Sequence, residues 1–182
     1  MKRGLVRSFS FAGVPVLMHW SVFVIGALIM VSSLTRPVLA IVVPAAYLGV
    51  LLLHEAGHAF LARRHGQQVV SIEVYPFFGL CRYAGMADAW DHSVIAWGGV
   101  LAQLIVAVPL LAYVFFFGYT PFDVLNAPIT LFGAFSLGVA LFNLLPVPPL
   151  DGSRAWSVVP LLLRRAFRRR KPTRRTKLRR VA

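Results

Sequence analysis

Four stretches of the chain are apolar over about the twenty residues that a helix needs to cross the hydrocarbon of a bilayer. They run from Val14 to Leu34, Val38 to Ala62, Val94 to Gly118 and Ala127 to Leu145. A fifth patch, Trp156 to Leu163, is too short to cross and is interrupted by Pro160, so it is expected at the interface or against the bundle. Between the second and third stretches the period changes. Val70, Ile72 and Val74 alternate with Ser71, Glu73 and Tyr75, which is the two-residue repeat of a strand. Pro76-Phe77-Phe78-Gly79 has turn chemistry, and Leu80 to Met86 can return as a second strand. The pattern predicts a membrane all-α fold of about four transmembrane helices. A short β-hairpin on the cytoplasmic side and a basic C-terminal tail complete it, with residues 1–163 as the membrane core and 164–182 as the tail.

Composition narrows the class. Of 182 residues, 58% are hydrophobic and 14% charged, with a mean hydropathy of +0.73. A soluble domain carries about a quarter charged residues, so a soluble enzyme, a disordered chain and a disulfide scaffold are excluded. The lone Cys81 has no partner for an internal disulfide and reads as a buried, inert thiol. The net charge of +13 suggests nucleic acid until its placement is examined. Eleven of the 19 Lys and Arg residues lie between Arg164 and Arg180, leaving eight basic against six acidic side chains elsewhere. Such a tail suits anionic lipid, and no nucleic-acid partner is expected. Basic residues at the N-terminus, at Arg63-Arg64 and in the tail place both termini in the cytoplasm of a multi-pass cell-membrane protein. A cleaved leader is the alternative for the first stretch. Its length, the lack of a small-x-small cleavage site, and His19-Trp20 favour a retained helix.

The chemistry is concentrated in His54-Glu55-Ala56-Gly57-His58, inside the second stretch. Residues i and i+4 of a helix share a face, so both imidazoles can reach one ion. Glu55 then projects beside the ion's open position, where a carboxylate can take a proton from water. Three ionisable residues in five are expensive within a span and must face a cavity or a partner. A zinc site of this type needs a third protein ligand. Asp123 falls in the loop at the opposite membrane face, and Glu73, Asp88 and Asp91 fall in a polar loop where charge is cheap. Asp151 remains. It closes a proline-broken run at the inner end of the fourth stretch, at the depth of the two histidines.

Two motifs together carry a family resemblance. His54-Glu55-x-Gly57-His58 and Asn143-x-x-Pro146-x-x-Pro149-Leu150-Asp151-Gly152 resemble the site-2 protease family of intramembrane zinc metalloproteases. The likeness extends to Gly13-Val14-Pro15 through His19-Trp20-Ser21 and to the strand-like loop, covering roughly residues 10 to 155. It implies one zinc ion per chain held by His54, His58 and Asp151, with Glu55 as catalytic acid and base. It further implies hydrolysis of a peptide bond in or near the transmembrane segment of a membrane-protein substrate. Asn143 matches a position that engages the substrate helix. Gln103 stands where many members have an asparagine, and is a second candidate for substrate contact. No PDZ or CBS domain is expected, so the chain resembles a minimal form.

Two other classes compete. A metal transporter or metal-binding membrane protein would use the same ligands but has no need of Glu55, and the chain shows no inverted repeat. A non-catalytic homologue that binds membrane helices would have no reason to retain Glu55. Strand 69–75 is a candidate for capturing an unwound substrate by edge pairing. His19 reads as an interfacial anchor, His65 and His92 as solvated, and Gly98-Gly99 as a site of close helix packing.

Overall fold

The computed structural model describes residues 4–169. Its first elements are two strands, β1 (Leu5–Phe11) and β2 (Val14–His19), followed by helix α1 (Trp20–Ser32). The first apolar stretch is therefore part strand, where a helix from Val14 was expected. Val14, Val16 and Met18 point into the core while Pro15, Leu17 and His19 do not. That alternation is hard to read in a run where nearly every residue is apolar. The β1–β2 turn places Ala12 (φ 48°) and Gly13 (φ 78°) both at positive φ, the requirement of a two-residue hairpin loop matched to strand twist. His19 ends β2 and caps α1, its Nδ1 facing the Ser21 hydroxyl at 2.6 Å and accepting from the Ser21 amide.

Helix α2 (Pro37–Arg64) carries the histidine motif, and α3 (Ala89–Phe117) packs along it. The chain from Asp123 to Asn143 forms a third long helix, made of α4 (Asp123–Thr130), one π turn (Leu131–Phe135) and α5 (Ser136–Asn143). Among the described residues, three helices are thus long and apolar enough to cross a membrane. Helix α1 has 13 residues, about 20 Å at the helical rise of about 1.5 Å per residue, short of the hydrocarbon's roughly 30 Å.

The predicted hairpin is present as β3 (Gln68–Val74) and β4 (Gly79–Ala84), paired antiparallel. It belongs to a larger sheet of order β1-β2-β3-β4, in which β2 runs parallel to β3 through Val16–Met18 and Ile72–Val74. This changes two expectations. β3 is paired on both sides at Ile72–Val74, so that part has no free edge for a substrate; β1 and β4 are the edge strands. Glu73 is buried at 1% exposure and ion-pairs with Arg82, where a solvated loop charge was expected. Val14, Val16, Met18, Ile72 and Val74 meet Leu51 and Ala59 of α2 in one apolar core, which seats the sheet against the half of α2 bearing the motif.

Two small helices finish the described chain: α6 (Gly152–Ala155) and α7 (Val158–Arg169). Pro160 is accommodated in the first turn of α7, where its missing N–H has no helical acceptor to lose. The boundary drawn before Arg164 falls inside α7, and residues 170–182 of the expected tail lie outside the described residues.

Candidate metal centre

α2 and α3 touch at backbone level. A Cβ on Gly57 or Gly98 would overlap the other residue's carbonyl, so only glycine permits this spacing. Gly99, one residue on, lies against the His54 ring. The expected close packing at Gly98-Gly99 is therefore what brings α3 onto both histidines.

The loop after α5 delivers the carboxylate. Gly152 folds back against the Leu144 and Leu145 carbonyls, a contact that a side chain would block. α6 is tied to α3 by Ser93 Oγ and Trp97 Nε1, each donating to the Ala155 carbonyl at 3.0 Å. Trp156 Nε1 donates to the Leu144 carbonyl at 2.7 Å. Asp151 is thus held from both sides.

These constraints bring His54, His58 and Asp151 together. Asp151 Oδ2 lies 2.9 Å from His54 Nε2 and 3.0 Å from His58 Nε2, and the two Nε2 atoms are 3.1 Å apart. Among the described residues no other group of three or more His, Cys, Asp or Glu side chains has this convergence. His58 donates Nδ1–H to the Ile95 carbonyl at 2.8 Å, and His54 Nδ1 faces Gln103 Oε1 at 2.9 Å. Each Nδ1 has an oxygen acceptor, and a neutral ring protonated there leaves its Nε2 lone pair free. In that state the three atoms are acceptors that a cation would join, and the spacing lets one ion reach all three with zinc's ordinary bond lengths. The donor set fits zinc.

Glu55 is buried at 2% exposure. It packs against Gly79 and takes a hydrogen bond from the Cys81 amide, both on β4, while Oε2 has no partner. Gln103 is fully buried against His54. Asn143 closes α5 and donates Nδ2–H to its own helix at Val139, 3.0 Å away. Asp123 pairs with Arg36 at 2.6 Å, at the end of α2 remote from His54. His65 is half-buried and bonds Asp91 at 2.8 Å, tying α2 to α3 where a solvated ring was expected; His92 faces the Tyr83 hydroxyl. The Cys81 thiol is pushed up to about 12 by burial and by the Glu55 charge, against a smaller opposing pull from Arg63. Its thiolate fraction at pH 8 is about 10³-fold below that of an ordinary thiol. Maleimide labelling should be slower in the native protein by that factor and recover on denaturation.

No family model matches the chain. A zinc metalloprotease of Methanocaldococcus jannaschii is 28% identical over 156 residues, covering 82% of this chain and 43% of that protein. Rip3 of Mycobacterium tuberculosis, a zinc metalloprotease by name, is 34% identical over 145 residues, covering 78% of this chain and 32% of its own length. The solved site-2 protease from Methanocaldococcus jannaschii superposes on 90% of this chain and 73% of its own with a TM-score of 0.65, at 24% identity. The chain shares the fold of that site-2 protease. It spans less than half the length of the curated relatives it matches. Within this fold, the histidine helix and the Asp-Gly loop meet through α3, which neither motif includes.

Proposed function

We propose that this chain is a member of the site-2 protease family, an intramembrane zinc endopeptidase that hydrolyses a peptide bond in or near a transmembrane segment of a membrane-protein substrate. The convergence of His54 Nε2, His58 Nε2 and Asp151 Oδ2 within about 3 Å, with an oxygen acceptor behind each ring at Nδ1, carries this reading. These three residues would hold one zinc ion, which supplies Lewis acidity for activating water and polarising a carbonyl. Glu55 takes a proton from the attacking water at Oε2 and returns it to the departing nitrogen, so water adds across the C–N bond and leaves a carboxylate and an amine. The Cys81 amide keeps the carboxylate aimed while leaving that oxygen free.

A helical substrate must unwind first, because its carbonyls are bonded internally. The free edge of β4, whose Gly79 and Cys81 flank Glu55, offers backbone groups to an extended segment. Asn143, at the end of α5, would contact the incoming chain.

In this reading α2 runs inward, its motif near the cytoplasmic face marked by Arg63 and Arg64. β2 and α1 together make the fourth crossing. Arg63 bonds the Ala12 carbonyl at one end, and six strand residues plus 13 helical ones give about the length of α2. Both termini are then cytoplasmic, and α7 with the basic tail meets anionic headgroups. Trp90, against which Arg165 stacks at 4.2 Å, stands at that level.

Purified protein in detergent, mixed with a single-helix membrane substrate, should cleave it, stop when a zinc chelator is added, and resume on return of zinc. Cleavage indifferent to the chelator would overturn the reading.

A further inference from the structure

Three residues of one α3 stripe, Ile95, Gly99 and Gln103, touch the two histidines of α2. The Ile95 carbonyl takes the His58 Nδ1 proton, Gly99 receives the flat of the His54 ring, and Gln103 Oε1 faces His54 Nδ1 at 2.9 Å. The spacing i, i+4, i+8 follows one face of a helix. The two histidines are oriented by different means. His58 is set by backbone, which no substitution removes. His54 depends on one side chain.

We infer that Gln103 is a positioning residue: its carboxamide oxygen holds the Nδ1–H tautomer of His54, so that Nε2 is the atom offered to a metal. Gln103 is fully buried at 0% exposure, which leaves it no surface on which to meet a substrate. Its Oε1 is committed to His54, and its Nε2 has no partner. An amide suits this place better than a carboxylate. Asp151 and Glu55 already supply two negative charges, enough to balance one divalent ion in a low-dielectric site. A third would be uncompensated. Gln103 therefore accepts a proton's hydrogen bond without adding charge, the role that a carboxylate or a backbone carbonyl plays behind most metal-bound imidazoles. Its reach depends on the glycine contact between α2 and α3. Gly98 touching Gly57 sets the helices close enough for a side chain five residues further along α3 to meet a ring three residues back along α2.

This inference rests on the metal-centre reading above, and the test separates the two. Full-length protein, wild type and variants, is titrated with zinc against a competing chelator and, in parallel, with cobalt, whose absorption reports ligand geometry. Gln103→Leu should bind zinc 10–100-fold more weakly. Gln103→Glu, which keeps an acceptor at the same reach, should stay within about threefold of wild type or bind more tightly. Nitrogen-15 histidine spectra should show the His54 tautomer mixed in Gln103→Leu and that of His58 unchanged. Equal zinc affinity in wild type and Gln103→Leu would overturn the role. So would Gln103→Glu binding more weakly than Gln103→Leu, since that would make the amide a donor to His54; this comparison decides the matter through Gln103→Met if the leucine variant fails to fold. Wild-type protein that binds no zinc would instead sink the metal-centre reading itself.

Discussion

Glu55→Gln should lower cleavage of a transmembrane-helix substrate by about 10²–10⁴-fold while leaving zinc binding at the wild-type level, the range expected for loss of a general acid–base group. The substitution is nearly isosteric at a 2% exposed position, so packing against Gly79 is retained. It removes only the ability of Oε2 to take up a proton, because an amide is not a base at neutral pH. None of the three converging donor atoms belongs to Glu55. Zinc content by mass spectrometry and cleavage rate, measured on the same preparation, therefore separate the proton carrier from the metal ligands. Undiminished cleavage by Glu55→Gln would strip this residue of its role.

Asp151→Ala should fail to hold stoichiometric zinc and lose cleavage with it. Two imidazoles would remain, without the third ligand and without the negative charge that helps offset a divalent ion. The substitution should leave the helices in place. The loop is pinned by Gly152 against Leu144 and by the Ala155 carbonyl taking bonds from Ser93 and Trp97, none of which involves the Asp151 side chain. Far-ultraviolet circular dichroism should match wild type, while zinc titration shows binding weakened by at least about 100-fold. Wild-type affinity in Asp151→Ala would mean that the third ligand lies elsewhere. His54→Ala then serves as the control that must lose zinc in either case.

The motif residues were readable from spacing because their chemistry is local. His54 and His58 share a helical face wherever that helix sits, and Asp151 announces itself as a charge in proline-broken backbone near a membrane face. The hairpin was readable from Val70, Ile72 and Val74 because polar residues alternate with them. Its neighbours were not. In Val14 to His19 the inward and outward positions are both mostly apolar, so the two-residue period of β2 is masked and the segment passes for the start of a span. The consequence is physical: β2 occupies the Ile72–Val74 part of the β3 edge and helps enclose Glu73. Gln103 shows the same boundary at the site itself. An amide in a span signals a partner, but nothing in the chain around it names His54, 49 residues earlier.

By itself the sequence determined a membrane class of protein and marked the residues with metal-binding chemistry, because hydrophobic length, helical periodicity and side-chain donor type are properties of short segments. Only the tertiary structure decided which strand has a free edge, which polar residue stands behind which imidazole, and how α3 brings distant residues together. Those outcomes depend on the close approach of Gly57 to Gly98 and on strand pairing across more than fifty residues, and contacts between remote segments leave no period in the chain.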